Sequence, residues 1–473
     1  MKIFYIKIKS INHQMIQFES VSKILLGCLL ALFITSCESF VEVDPPRSEL
    51  ISETVFEEAA TANAAVLSIY IQLRDNVLIT GSSTGVSVSM GLYADELDFF
   101  PITGSLLPFA NNMLIPTDGT IASIWNNSYN LIFQANAIIE GVDNSIALSL
   151  EDKNQIKGEA LFLRACIHFY LVNLFGDVPY ITTSDFKVNT EVSRTPEQEV
   201  YTQLISDLEE AKSLLPEEYL TGERIRANKG VASALLSRVY LYAEDYANAA
   251  TESTAVIGKY IWENDLDKVF LKESGSTIWQ FKPETEGLNT GEANLFIFIT
   301  GPPPSVALNG GLIGAFELGD VRRGNWVKEV TDGTDSWYHA FKYKERGDTE
   351  TSVEYSILLR LAEQYLIRAE ARVQQGDIAG AQADLNRVRN RAGLGNTPAA
   401  TTPDLLEAIL QERRVELFTE QGHRFFDLKR MGKANEVLGP VKPGWEATDV
   451  LLPIPEVELL VNPNLLPQNP GYN

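Results

Sequence analysis

The chain has 473 residues, of which 45% are hydrophobic, and its formal net charge at pH 7 is −24. Nucleic acids and anionic lipid headgroups repel a chain of this charge, so both classes of ligand are excluded. The three cysteines, Cys28, Cys37 and Cys166, are too few for a scaffold held together by disulfides. The protein therefore relies on a hydrophobic core, and its length is enough for one large domain or two.

The first predicted element is an export signal. Lysines precede an apolar run of 11 residues, residues 24–34, an arrangement typical of signal peptides. A membrane-spanning helix needs about 20 apolar residues, so this run is too short to span a bilayer. Residues 34–37 read ITSC, which resembles a bacterial lipobox. We predict that residues 1–36 are a lipoprotein signal peptide and that Cys37 carries lipid; the alternative is an ordinary signal peptide that contains a cysteine.

Residues 37–50 are acidic and contain prolines, so we predict a lipidated tether leading to one folded domain, residues 51–473. Amphipathic helices dominate this domain. One is predicted over residues 156–175. Another begins after Thr195, which is predicted as its N-cap with Gln198 completing a capping box.

Two helical hairpins are predicted from apolar stripes with helical spacing. The first joins residues 232–243 to 246–257, and the second joins 358–369 to 378–388 through a turn at Gly376-Asp377. Each hairpin is close to a tetratricopeptide unit in its packing residues, although the full consensus is not met and the hairpins are not consecutive, so no regular solenoid is expected. The predicted fold class is mostly α, with tetratricopeptide-like helical hairpins scaffolding an irregular, loop-rich region.

The irregular region covers residues 260–350. It is rich in glycine, proline and aromatic residues, with short strands predicted at residues 277–281 and 341–343. Loops of this length in a compact protein usually carry function.

Three patterns suggest chemistry but have simpler explanations. Residues 81–85 (GSSTG) match the nucleophile elbow of hydrolases, which needs a preceding strand and a histidine base; a flexible loop is the preferred interpretation. Cys166 and His168 point to different faces of one helix and are predicted to fill the core. The charges of residues 412–430 are predicted to form ion pairs that fix a helix corner. We therefore predict no catalytic residue, no metal site and no cofactor.

Aromatic side chains near amides form the remaining candidate site. Sugar rings stack their apolar C–H faces on aromatic rings, while amides bond hydroxyl groups. Loop placement predicts six ligand-binding residues: Phe99, Phe100, Asn111, Asn112, Trp337 and Tyr338. For any single aromatic residue, burial in the core is an equally open alternative.

Four segments carry a family resemblance. They are residues 157–180 (KGEALFLRACIHFYLVNLFGDVPY), 360–371 (RLAEQYLIRAEA), 412–432 (ERRVELFTEQGHRFFDLKRMG) and 452–472 (LPIPEVELLVNPNLLPQNPGY). Together they resemble the SusD/RagB family, outer-membrane nutrient-binding lipoproteins of Bacteroidetes.

The resemblance implies a scaffold of tetratricopeptide-like hairpins, exposure at the cell surface and a SusC-like TonB-dependent transporter as partner. It implies a ligand, usually a glycan and sometimes a peptide, and no catalysed reaction. The shared motifs are structural, so no binding residue is carried over from the family. Three alternatives stay open: a peptide-binding relative with the same fold, a surface-tethered glycoside hydrolase and a helical scaffold protein without a pocket.

Overall fold

The computed structural model describes residues 54–472; the predictions for the signal peptide, the tether and Cys37 lie outside these residues. Helices dominate the described part of the chain. In chain order they are α1 (Ala59–Asp75), α2 (Val86–Tyr93), α3 (Leu107–Asn111), α4 (Gly119–Asn144), α5 (Leu150–Phe175), α6 (Phe186–Asn189), α7 (Glu197–Leu214), α8 (Lys229–Tyr242), α9 (Tyr246–Ile257), α10 (Gly291–Phe296), α11 (Gly310–Ile313), α12 (Arg322–Asn325), α13 (Leu361–Gln374), α14 (Ile378–Arg391), α15 (Thr402–Glu416), α16 (His423–Arg430), α17 (Ala434–Leu438) and α18 (Glu456–Val461).

The strands form three short antiparallel pairs. β1 (Leu97–Phe99) pairs with β3 (Val306–Leu308), β2 (Thr277–Phe281) with β6 (Ser356–Arg360), and β4 (Val327–Thr331) with β5 (Ser336–Ala340). The strand predicted at residues 277–281 is confirmed. The strand predicted at residues 341–343 is wrong, because the pairing of β4 with β5 ends at Ala340. The predicted fold class, mostly α, is confirmed.

Both predicted helical hairpins are present, as α8–α9 and α13–α14. In the first, Glu244 takes a left-handed conformation (φ +60°) and the Asp245 side chain then caps α9 by accepting from Asn248 N at 3.1 Å. In the second, Gly376 (φ +81°) and Asp377 play the same two parts. A left-handed residue reverses the chain, and an acidic N-cap starts the next helix. Two adjacent residues are therefore enough to form each turn.

The second hairpin begins later than predicted. Residues 358–360 belong to β6, a strand of five buried residues that pairs with β2. The helix therefore starts at Leu361, because strand pairing overrides the helical spacing of the apolar residues.

The two hairpins, distant in sequence, pack against each other through α9 and α13. The buried ion pair between Arg238 on α8 and Glu363 on α13 joins them, with Nε–Oε1 and Nη2–Oε2 distances of 2.6 and 2.7 Å. A matching pair, Arg164 with Asp207, joins α5 to α7 through two contacts of 2.7 Å. Such bidentate pairs fix how the two helices are oriented, in addition to the apolar packing between them.

Helix α5 lies at the centre of the core. Within residues 54–472 it alone is long and apolar enough to cross a membrane, and all of its apolar window is buried in the fold. Cys166 and His168 are buried on it, and His168 Nδ1 lies 3.0 Å from Arg164 O. The prediction that both fill the core is confirmed.

The capping box predicted at Thr195 is wrong. Helix α7 begins at Glu197, and Pro196 precedes it without a side-chain cap. Thr195 instead forms a β-bridge with Val178, while Asp177 Oδ1 accepts from Glu197 N at 2.9 Å. Thr195 therefore pairs with Val178, three residues after the end of α5, and does not cap α7.

Candidate ligand-binding site

A cleft of about 550 Å³ opens between the chain that joins α1 to α2 and the N-terminal turns of α4. Ligand sites have volumes of about 300–1,000 Å³. Most of its side chains carry hydroxyl, amide or carboxylate groups, and we call it the polar cleft; its lining is Asn76, Val77, Leu78, Thr84, Ser105, Asp118, Gly119, Thr120, Ser123, Ile124 and Asn127.

The start of α4 sets one wall of the polar cleft. Asp118 caps the helix, its Oδ1 accepting from Thr120 N at 2.8 Å and from Ile121 N at 3.3 Å. Thr120, Ser123 and Asn127 follow at spacings of three and four, which places their side chains on one face of the helix. A row of hydroxyl and amide groups therefore faces the cleft from a rigid element.

The GSSTG loop forms the opposite wall through Thr84. Gly85 is buried, and glycine is required there because a β-carbon would overlap the carbonyl oxygen of Thr80. The residues before Gly81 form turns rather than a strand, and the histidines of the described chain, His168, His339 and His423, are buried. The nucleophile-elbow interpretation therefore lacks its strand and its accessible base. The loop instead presents hydroxyl groups, with Ser82 Oγ 2.9 Å from Thr84 Oγ1.

Phe99 and Phe100 do not line this cleft, although the chain that follows them reaches its wall at Ser105. Phe99 pairs with Val306 in the β1–β3 ladder, and Phe100 N donates to Ser305 O at 2.9 Å. Both rings are partly exposed. The chain then turns back so that Gly104 (φ +132°) lies near the Phe99 ring, one residue before Ser105 in the cleft wall.

Trp337 and Tyr338 lie on β5, not in a loop as predicted. The turn that precedes them is tight, since Asp332 Oδ1 accepts from Thr334 N and Asp335 N at 2.8 and 2.9 Å. Both rings are partly exposed, and the Tyr338 ring centroid lies 4.7 Å from the Arg323 guanidinium carbon. A strand holds both rings more rigidly than a loop would.

The segment from Gly301 to Val306 contacts Trp337 at its start and Phe99 and Phe100 at its end. The Trp337 ring packs on Gly301, where a β-carbon would overlap it. Four residues later, Ser305 accepts the hydrogen bond from Phe100 N. β3 also packs against β5. The structure thus brings Phe99, Phe100 and Trp337 to one short segment, although about 240 residues separate the phenylalanines from Trp337. Tyr338 points to the other face of β5, where its ring contacts Arg323.

The two predicted amides differ. Asn112 is buried in a left-handed conformation (φ +51°), and its Nδ2 donates to Tyr93 O at 2.9 Å. Asn111 is exposed at the end of α3, and Gly444 packs against its carbonyl oxygen. Asn112 therefore supports the fold, whereas the side chain of Asn111 is accessible to a ligand.

Comparison with known proteins identifies the family of this chain. A family described as "Starch-binding associating with outer membrane" matches residues 88–241, and the "SusD family" (SusD_RagB) matches residues 321–472. The chain belongs to the SusD/RagB family. It is similar to SusD-like protein P2 of Formosa agariphila, with 29% identity over 94% of this chain and 98% of the relative.

Solved SusD structures share the fold. A SusD superfamily protein from Bacteroides vulgatus has a TM-score of 0.76 at 21% identity, covering 88% of this chain and 99% of that one. A structure described as a laminarin binding SusD-like protein has a TM-score of 0.73 at 26% identity, covering 87% and 99%. The scaffold of helical hairpins is thus the SusD scaffold.

Behind β1, this SusD/RagB chain buries the ion-pair network predicted for residues 412–430. Asp95 accepts from Arg424 Nε at 2.7 Å and from Arg414 Nη2 at 2.7 Å. Burial opposes the charge of Asp95, but the two arginines hold the pKa of its carboxyl below the usual range. The prediction of a structural network is confirmed, and it anchors the strand that leads to Phe99.

Glu416 is the centre of this network. It accepts from Arg322 Nη1 at 2.9 Å and Arg360 Nη1 at 2.5 Å and also pairs with Arg391. Burial alone would raise the pKa of Glu416, yet the three guanidinium groups hold it well below its ordinary value.

Glu96 differs from its neighbours. Burial, reinforced by the charge of Asp95, raises the pKa of Glu96 to about 8. Its Oε2 accepts from Thr419 N at 3.4 Å, and its Oε1 has no hydrogen-bond partner within residues 54–472. Its backbone carbonyl accepts from Asn309 N at 2.8 Å. The residue that leads into β1 is therefore held by backbone bonds while its carboxyl is protonated at neutral pH.

The polar cleft was missed by the sequence predictions. Its lining residues come from four separate segments, and seven of the eleven are Ser, Thr, Asn or Asp. The one available signal was the cap Asp118 followed by hydroxyl residues at helical spacing. Within residues 54–472 no group of three or more His, Cys, Asp or Glu side chains is arranged to hold a metal ion.

Proposed function

We propose that this protein is a surface-exposed lipoprotein that binds an oligosaccharide in the polar cleft and delivers it to a SusC-like TonB-dependent transporter. The polar cleft is the observation that carries the proposal. It offers hydroxyl and amide groups from a capped helix and a packed loop, and the Phe99 ring lies near Gly104, which precedes Ser105 of the cleft wall. Converging polar groups beside aromatic faces are what a sugar needs, because its hydroxyls bond and its C–H faces stack.

The relatives support a glycan rather than a peptide ligand. One matching family is described as starch-binding, and one structural neighbour is described as laminarin binding. Both named ligands are neutral glucans. A neutral ligand also suits a protein with a net charge of −24, which gives no electrostatic help to anionic ligands.

The composition of the cleft argues against a glycoside hydrolase. Hydrolysis of a glycosidic bond normally uses two carboxyl groups that face each other at about 5–10 Å. Asp118 is the one carboxylate among the residues lining the polar cleft, and its Oδ1 is engaged in capping α4. We therefore propose binding and delivery without catalysis.

The anchor in this proposal is lipid on Cys37, inferred from the ITSC sequence after a short apolar run. The tether of residues 37–50 then leaves the domain free to sit beside a transporter in the outer membrane. Tagged protein solubilised from outer membranes is expected to co-purify with a TonB-dependent transporter; purification without one contradicts the delivery role.

Calorimetric titration of the lipid-free protein tests the ligand. Laminari-oligosaccharides, malto-oligosaccharides and soluble peptides are titrated in turn, and the oligosaccharide mixtures are analysed for products afterwards. The proposal predicts saturable heat with an oligosaccharide and intact ligand at the end. Heat with peptides alone contradicts a glycan ligand, and shortened products contradict a binding protein.

A further inference from the structure

A second cavity lies on α4, and we call it the apolar groove. It has a volume of about 330 Å³. Trp125, Tyr129 and Phe133 of α4 line it, together with Phe186 of α6 and Val461 of α18. No element of the polar cleft other than α4 contributes to it.

The two cavities occupy opposite faces of α4. Thr120, Ser123 and Asn127 line the polar cleft, whereas Tyr129 and Phe133 line the apolar groove. At about 100° per residue these two sets point in opposite directions from the helix axis. An occupant of the groove therefore does not compete for the cleft.

The rim of the groove is hydrophobic and exposed. Phe186 is 67% exposed, and Leu460 and Val461 are each 73% exposed. Single apolar residues on a surface are common, but a contiguous apolar patch marks an interaction site. Exposed aliphatic side chains dominate the rim contributed by α18, and such a rim suits the apolar side chains of a protein partner.

One buried acceptor of the groove has no hydrogen-bond partner within residues 54–472. Asn189 Nδ2 donates to Thr183 O at 2.9 Å, while Asn189 Oδ1 is buried without a partner within residues 54–472. Tyr129 OH donates to Pro179 O at 2.9 Å. The amide of Asn462 is likewise used, since its Nδ2 donates to Val192 O. A buried acceptor without a partner is costly, so an occupant that supplies a donor is favoured.

Charge points to a cationic donor. Glu458 lines the groove, is partly buried, and has no ion pair or side-chain hydrogen bond within the described residues. The segments that form this side, residues 185–192 and 456–461, contain four acidic residues and one basic residue, Lys187. A carboxylate beside aromatic rings suits a lysine or arginine side chain, which gains both an ion pair and cation–π contact.

We propose that the apolar groove docks a second protein, which inserts a hydrophobic segment and places a lysine or arginine side chain against Glu458. The segment covers Phe186, Leu460 and Val461, and its cation pairs with the Glu458 carboxylate. This contact is independent of the ligand in the polar cleft.

Peptide display on the lipid-free protein tests the proposal. Short random peptides are selected on the wild type after depletion on Val461→Asp, and enriched peptides are titrated against variants. The expected peptides combine aliphatic or aromatic residues with lysine or arginine. They lose binding to Val461→Asp and weaken about tenfold with Glu458→Gln. Val441→Asp, at a residue that is 59% exposed outside the groove, is the matched control and leaves binding unchanged.

Three results overturn the proposal. The first is that no enriched peptide depends on Val461. The second is enrichment of uncharged or acidic peptides that ignore Glu458→Gln. The third is a wild-type dimer in sedimentation that Val461→Asp makes monomeric, because a second copy would then fill the groove. Unchanged thermal unfolding of Val461→Asp, expected for an exposed residue, separates lost docking from lost folding.

Discussion

The indole ring of Trp337 lies directly on the backbone of Gly301, so closely that a β-carbon at residue 301 would overlap the Cζ3 and Cε3 atoms of the ring. Only glycine lets the segment that carries Ser305 pass this close to β5. The contact fixes the position of the partly exposed indole, and we propose that this ring contacts the ligand.

Gly301→Ala should displace the Trp337 ring and weaken oligosaccharide binding about tenfold. Calorimetric titration measures the loss. Gly310→Ala is the control, because a β-carbon at Gly310 meets no atom within 4 Å. Equal affinities for the two variants would show that the Trp337 ring does not contact the ligand.

Glu416→Gln should lower the free energy of unfolding by about 3–5 kcal/mol, because it leaves buried guanidinium groups without their shared carboxylate. Urea denaturation measures the change. Glu407→Gln removes an exposed ion pair to Lys433, and such pairs contribute about 0–1 kcal/mol. Similar losses of unfolding free energy for the two variants would contradict the conclusion that the buried network stabilises the fold.

Glu96→Gln should change how stability depends on pH. The unfolded chain releases the Glu96 proton near the ordinary glutamate pKa, whereas the native protein keeps it to about pH 8. Between these values the native state holds more protons, so wild-type stability falls as the pH rises. A glutamine does not titrate, so the variant does not lose this stability. Its free energy of unfolding relative to the wild type should rise by on the order of 3 kcal/mol between pH 5 and pH 8.

Denaturation at the two pH values measures this gain, with Glu151→Gln, at an exposed residue of α5, as the control. A stability difference between Glu96→Gln and wild type that stays constant with pH would contradict a protonated Glu96 in the native protein.

The helical scaffold could be predicted from sequence because its signals are local. The turn at Gly376 and Asp377 and the apolar spacing on both sides lie within one hairpin. The site could not be predicted in the same way. β1 pairs with β3 across about 200 residues, and this pairing decides where Phe99 and Phe100 stand.

Two errors have the same physical origin. Leu358 has helical spacing but lies in β6, which pairs with β2, and Trp337 is predicted in a loop but pairs with Val330 of β4. In the second case the sequence carried a usable signal: Asp332, Gly333 and Asp335 form a tight turn flanked by residues suited to strands. The polar cleft had no such signal, because ordinary polar residues become a site only when four segments meet.

Cys37→Ala should release the protein from the membrane fraction, because a tether without lipid gives no stable anchoring. Fractionation of cells with detection in the soluble and membrane fractions measures the shift. Ser36→Ala, which keeps the cysteine and a small residue before it, is the control and should stay in the membrane fraction. Persistent membrane association of Cys37→Ala would contradict the lipid anchor.

The most direct test of the central claim is calorimetric titration of Ser123→Phe with the oligosaccharide that binds the wild type. Ser123 is exposed on the wall of the polar cleft, so a phenyl ring there fills the cleft without entering the core. The account predicts that Ser123→Phe loses the heat of binding while Thr202→Phe, at an exposed residue of α7, retains it. Binding by Ser123→Phe with wild-type affinity would contradict the polar cleft as the ligand site.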